Sequence, residues 1–190
     1  FTVQGGGSSG LRYSVVDMSL AAGTGSVINK NISVKTGVLA EKLTATKHCN
    51  GVDYWIVVKD TAFYAFELTS VGINTVAVVS NINIWPSNGC MKLSPNGRKL
   101  GYVGTSYNGL VYNHNIFLLD FNNSSGAVSN PLLVQSVNNF PFAPPHAYGG
   151  EFSPDGTKFY FAGQSGMMHQ VELCNYTNSL SAAGINTVGT

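Results

Sequence analysis

Residues 93–104 read LSPNGRKLGYVG, and residues 152–163 read FSPDGTKFYFAG. Each stretch holds a Ser-Pro-Asn/Asp-Gly turn, then a lysine, then a short apolar run. A third dipeptide of this type, Asn50-Gly51, precedes the run YWIVV at 54–58. Asn-Gly or Asp-Gly between β-rich runs signals a hairpin, and the expectation is that both central turn residues take positive φ. Outward from these turns, an acid followed by a large apolar residue recurs at Asp17-Met18, Glu67-Leu68, Asp120-Phe121 and Glu172-Leu173, at intervals of 50, 53 and 52 residues. Gly25, Gly72, Gly126 and Gly184 form a further ladder, and two of these glycines open the shared word GINTV. Three ladders in one register mark an internal repeat.

Period-two alternation with turn residues at the breaks predicts four strands per repeat, A to D, and no helical periodicity. The second repeat is expected to hold strands near 42–47, 54–58, 63–69 and 75–79. In the third they fall at 90–94, 99–104, 116–121 and 130–135. The fourth has strands at 149–153, 158–163 and 168–173 and a last one from 185. The first repeat is partial, with the end of a B strand at 1–3, C at 13–20 and D at 27–34. Four short antiparallel strands in about forty to fifty residues define a β-propeller blade, so the fold class is all-β. The chain divides into a partial blade at 1–36 and blades at 37–81, 82–136 and 137–190.

Charged residues make up 10% of the 190, and the net charge is +1. No basic stripe exists to hold nucleic acid, and no apolar run is long enough to span a bilayer. Neither nucleic acid nor membrane insertion is expected. The chain opens on Phe1 without a charged-then-apolar leader, so compartment has to be inferred indirectly. Cys49, Cys90 and Cys174 are odd in number and match no zinc spacing, so no disulfide framework is indicated; free, buried thiols are expected, with a single disulfide pair as the alternative.

The two opening stretches resemble the SPDG hairpin of WD-like propellers, including the YVTN type. Over nearly the whole chain, LRYSVVDMSL, EKLTATKHCNGVDYWIVV, AFYAFELTSVGINT and GGEFSPDGTKFYFAG are similar to propeller domains of large exported proteins of Bacteroidota. That resemblance implies a seven-bladed ring, export by type IX secretion and a place at the cell surface or outside the cell. It implies no activity, because function belongs to a site rather than to a fold.

A blade face of about 320 Å² left wet would forgo about 8 kcal/mol. The expected partners are therefore the remaining blades of the ring or a second protein chain that covers the end faces.

Chemistry is sparse. His48, His114, His146 and His169 show no metal-ligand spacing, and the four C-strand acids recur once per blade, as a structural role requires. No catalytic residue, metal or cofactor is expected. The long B–C connection at 105–115 and the D–A connections at 82–89 and 136–148 concentrate aromatic residues on one face. They point to Trp85, Tyr107, Tyr112, His114, Phe142, His146 and Tyr148 as ligand contacts, for protein or glycan. The expected function is a non-catalytic binding or scaffold module used in adhesion. The alternatives are a propeller enzyme, such as a lactonase or a glycan hydrolase or lyase, and an assembly unit completed by another chain.

Overall fold

The computed structural model describes residues 1–85, 88–107, 112–140, 148–162, 167–173 and 185–189. Its strands form four antiparallel sheets in chain order. The first sheet contains β1 (Thr2–Val3), β2 (Leu11–Asp17) and β3 (Ser26–Lys35). The second contains β4 (Leu43–Lys47), β5 (Tyr54–Lys59), β6 (Phe63–Thr69), β7 (Gly72–Ile73) and β8 (Val78–Ser80). The third is β9 (Met91–Leu93), β10 (Lys99–Tyr107), β11 (Tyr112–Phe121) and β12 (Val128–Phe140). The fourth is β13 (Gly150–Phe152), β14 (Lys158–Ala162), β15 (Met168–Glu172) and β16 (Ile185–Gly189). Each is an up-and-down meander, and successive sheets pack face to face as propeller blades do.

The turns that announced the fold work differently from their expected form. Gly51, Gly97 and Gly156 take positive φ (75°, 64° and 70°), whereas Asn50, Asn96 and Asp155 stay out of the left-handed region. In the third sheet Gly97 N donates to Ser94 O at 2.8 Å, and Ser94 N donates to Lys99 O at 2.9 Å. Pro95 and Asn96 thus occupy the centre of a type I turn, and glycine supplies the single left-handed residue that closes the hairpin. The Asn or Asp is there for its side-chain oxygen. Asn96 Oδ1 accepts from Arg98 N at 3.1 Å, and Asp155 Oδ1 accepts from Thr157 N at 3.0 Å. Ser94 Oγ and Ser153 Oγ accept from Lys99 N and Lys158 N, at 2.9 and 3.0 Å. In the second sheet His48 takes the serine's place: its Nδ1 accepts from Asn50 N at 3.0 Å, and its ring packs 5.4 Å from that of Trp55.

Three apolar seams join the sheets. Leu11 and Leu39 meet Ile56, Val58 and Phe66, with Val3 and Val34 at the margin. Trp55, Val57, Phe63 and Ala65 meet Met91, Leu100, Tyr102, Leu119 and Phe121. Val103, Ile116, Leu118 and Val134 meet Phe152, Phe159, Phe161 and Val171. Alternate residues of β5 therefore face opposite seams, so Trp55 to Lys59 are all buried, as in a strand covered on both faces. In β14, burial alternates, because among the described residues one face of its sheet is covered.

Polar groups fix the order of neighbours along the second seam. Trp55 Nε1 donates to Asn123 O at 2.8 Å, and Asn123 Nδ2 donates to Lys47 O at 3.0 Å. This clamp closes over Gly97, where an added Cβ would lie 1.9 Å from Asn123 Nδ2. At Gly51 an added Cβ meets nothing within 4 Å. Gly51→Ala is accordingly expected to cost about 1 kcal/mol, from left-handed strain alone. Gly97→Ala carries that strain plus a displaced clamp, for a loss of about 2–3 kcal/mol. Urea midpoints of the two variants check this; equal losses would mean that the clamp does not close over Gly97.

Three of the four C-strand acids have side-chain partners close by. Asp120 pairs with Lys99 at 2.5 Å, and Glu172 pairs with Lys158 at 3.5 Å, each directly across the ladder. Asp17 accepts from Ser19 N and Oγ, which holds its carboxyl below the usual value.

Several boundaries differ from the sequence reading. The expected D strand at 75–79 is two short pieces, β7 and β8, both paired to β6. Between them, Asn74 Oδ1 accepts from Val76 N at 3.0 Å and turns the chain away from the ladder. Strands β10, β11 and β12 are longer than expected and absorb most of the region read as the 105–115 loop, along with 136–140 from the following connection. Cys49 and Cys90 are free, but Cys49 is exposed and Cys90 half-buried, where buried thiols were expected. Cys174 lies outside the described residues.

Candidate functional site

Because the strands alternate in direction, the entries to β4, β9 and β13 and the turn between β5 and β6 emerge at one end of their sheets. Glu41 and Lys42 precede β4, Gly89 and Cys90 precede β9, Tyr148 precedes β13, and Asp60 and Thr61 form the β5–β6 turn. Glu41 organises this face. Its Oε1 accepts from Gly89 N at 2.8 Å, and its carboxylate also accepts from the Tyr148 hydroxyl. That bond holds the phenol of Tyr148 above its usual value.

Beside Glu41, Lys42 is 1% exposed. Its Nζ donates to Val103 O at 2.8 Å and lies 4.7 Å from the centre of the Tyr102 ring. Burial lowers its pKa to about 8, against the opposing pull of Cys90 and Glu41. Lys59 is fully buried too; its Nζ donates to Asp60 O at 3.0 Å over the Phe63 ring, and burial again lowers the pKa to about 8. Burial raises the Cys90 thiol above its ordinary value. Asp60 is tied into the turn by Ala62 N at 2.9 Å and by Lys35 Nζ at 3.1 Å.

Of the seven residues expected to contact ligand, two are well placed on this face. Trp85 is 75% exposed, yet Tyr102 Oη donates to its backbone carbonyl at 3.1 Å and the preceding Ile84 is buried. Its indole is therefore held in water from an anchored backbone. Tyr148 is 52% exposed and tethered through Glu41.

His114 is a correction. It belongs to β11 rather than to a loop, is 3% exposed, and shares a 2.9 Å hydrogen bond between its Nδ1 and Thr105 Oγ1. Its residue pairs with Thr105 across the β10–β11 ladder, which places the imidazole inside the molecule. Tyr107 and Tyr112 are backbone partners at the end of that ladder, so they too lie in strands rather than in a long loop. Phe142 and His146 lie outside the described residues.

Glu41 and Lys42 escaped the sequence reading. The available signal was an acid and a base side by side at a strand entry, after the apolar word VLA, in a chain with few charges.

No protein-family model and no curated protein matches the chain. Solved structures do resemble it. A proposed 6-phosphogluconolactonase of Bacteroides uniformis superposes with a TM-score of 0.52 at 13% identity, over 93% of this chain and 47% of that one. A second, from Bacteroides fragilis, gives 0.51 at 13% identity, over 93% and 46%. The chain thus spans about half the length of these proteins. At this identity the likeness is one of fold, and it agrees with the blades and seams above: the chain is an all-β protein of propeller type.

Proposed function

We propose that the chain is a non-catalytic binding module of an exported or cell-surface protein, of the kind its repeats resemble, and that the face around Glu41, Trp85 and Tyr148 contacts a protein or glycan. The anchored, solvent-held indole of Trp85 carries this reading. A large ring whose backbone is already fixed supplies contact area at low entropic cost, and such residues dominate binding energy. Trp85→Ala is expected to weaken binding on glycan or protein arrays by about 2 kcal/mol, a factor of roughly 30. Trp85 is exposed, so the fold should be unchanged. Undiminished binding by the variant would count against this face.

The names of the two Bacteroides structures favour a second reading, hydrolysis of a sugar-phosphate lactone. The side chains weigh against it. Glu41 and Asp60, the carboxylates on this face, are engaged in holding backbone and neighbouring side chains. Among the described residues, no group of three or more His, Cys, Asp or Glu is arranged for a metal. Turnover of 6-phosphogluconolactone that falls on Glu41→Gln would replace the binding reading with the enzymatic one.

The partner that continues the sheet stack is proposed to be further blades. Val16, Val27 and Ile28 of the first sheet are each more than half exposed, and another blade face would cover such side chains.

A further inference from the structure

Between the first and second sheets, on the face just described, lies a cleft of about 340 Å³. Its size falls within the range of about 300–1,000 Å³ typical of small-molecule sites. The cleft is built by the backbone. Gly6 N donates to Leu39 O at 3.1 Å, and Gly5 and Ser9 bridge to Leu39 and Gly37, so the glycine-rich segment between β1 and β2 lies along the chain that enters β4. Ala40 N donates to Lys59 O at 2.8 Å and sets the opposite wall against the β5–β6 turn. Asn88 closes one end through its backbone bridge to Thr105.

The lining is of two kinds. Val38 and Ala40, beside the buried Leu39, form an apolar strip, while Glu41, Asp60, Thr61 and Asn88 offer carboxylate, hydroxyl and amide groups around it. The carboxylates do not make an anionic hole, because Lys35 pairs with Asp60 at 3.1 Å and Lys42 lies beside Glu41. Nor do the lysines make an anion clamp. Lys42 and Lys59 are buried with their amines donating to backbone carbonyls, and Lys35 is taken up by Asp60. A ligand matched to this lining has little charge, a flat apolar face and a rim of hydroxyls that donate to a carboxylate and accept from an amide.

We infer that this cleft binds a neutral saccharide unit, with the pyranose C–H face on Val38 and Ala40 and hydroxyls on Glu41, Thr61 and Asn88. The inference deepens the proposed binding face by assigning its ligand class and rests on that reading. Glu41 keeps lone pairs beyond those that accept from Gly89 N and Tyr148, and a carboxylate accepts sugar hydroxyls as charge-assisted hydrogen bonds, the stronger kind; Asp60 is taken up by Thr61, Ala62 and Lys35 and shapes the wall instead.

The test is saturation-transfer NMR on the intact chain with a panel of neutral monosaccharides and disaccharides, alongside spermidine and inorganic phosphate. Val38 and Thr61 are exposed, so Val38→Arg and Thr61→Arg fill the cleft without touching a seam. At least one saccharide should give signal, and each arginine variant should weaken it roughly tenfold or more, about 1.4 kcal/mol. Silence from every saccharide, or signal from spermidine or phosphate alone, overturns the assignment. Saccharide signal that survives both arginine variants but is lost in Trp85→Ala also overturns it, while leaving the Trp85 face standing. Signal lost in the arginine variants and kept in Trp85→Ala supports the cleft and removes Trp85 from the contact.

Discussion

Phe159→Ala should cost about 3–5 kcal/mol, the range for deleting a buried ring from a packed core. Phe159 is fully buried, with its ring centroid 4.7 Å from that of Phe152 and 6.2 Å from that of Phe161. The ring lies across the third seam onto the backbone of β10, where a Cβ added at Gly101 would come within 2.4 Å of it. The two positions should therefore be coupled. Gly101→Ala alone overpacks the seam and is expected to cost about 1–3 kcal/mol, whereas in the Phe159→Ala background the added methyl enters vacated space. A double-mutant cycle by urea denaturation reads this directly. Additive losses would mean that Phe159 does not rest on Gly101, and the proposed packing of the third and fourth sheets would fall with it.

The second large effect is a pH dependence. Lys42 titrates near 8 in the folded chain, against about 10.5 for a lysine in water. Between those values the unfolded chain holds a proton that the folded chain has released, so this residue makes stability rise with pH across that window. Below pH 8 both states are protonated and the cost of burying the charge is carried in full; above 10.5 both are neutral and that cost is gone. At 1.36 kcal/mol per pH unit the change amounts to about 3 kcal/mol. Other groups titrate over the same range, so the quantity to measure is wild type against Lys42→Met. The stability of wild type relative to the variant should improve by about 3 kcal/mol from pH 8 to 10.5. A difference independent of pH would show that the Lys42 amine reaches water.

Much of the fold was legible in short words, because a hairpin is a local object. The Ser-Pro-Asn/Asp-Gly words placed the turns and counted the units even though the backbone reason was different. In these turns the Asn or Asp caps backbone amides with its own φ negative, and glycine alone takes positive φ. Both arrangements favour the same dipeptide, so the word predicts the hairpin without revealing its geometry. The site was less legible. Trp85 and Tyr148 could be named as aromatic residues in connections, but His114 could not be told from a loop histidine. The word at 112–115 continues a ladder in which the partner of His114, Thr105, lies nine residues earlier on β10.

By itself the sequence determined the repeat, the strand pattern and the low charge, since these depend on residue type and on spacings within one unit. Only the tertiary structure decided which sheet faces meet, why Gly101 must lack a side chain, and that Glu41, Lys42, Asp60 and Asn88 share one face. Those contacts join residues from about twenty to sixty positions apart. Period-two alternation says that a side chain leaves a strand on one face or the other, but not which neighbour waits there. The charged residues show it best: in a sequence Glu41 and Lys42 are adjacent letters, and burial against Val103, Tyr102 and Gly89 gives them their roles.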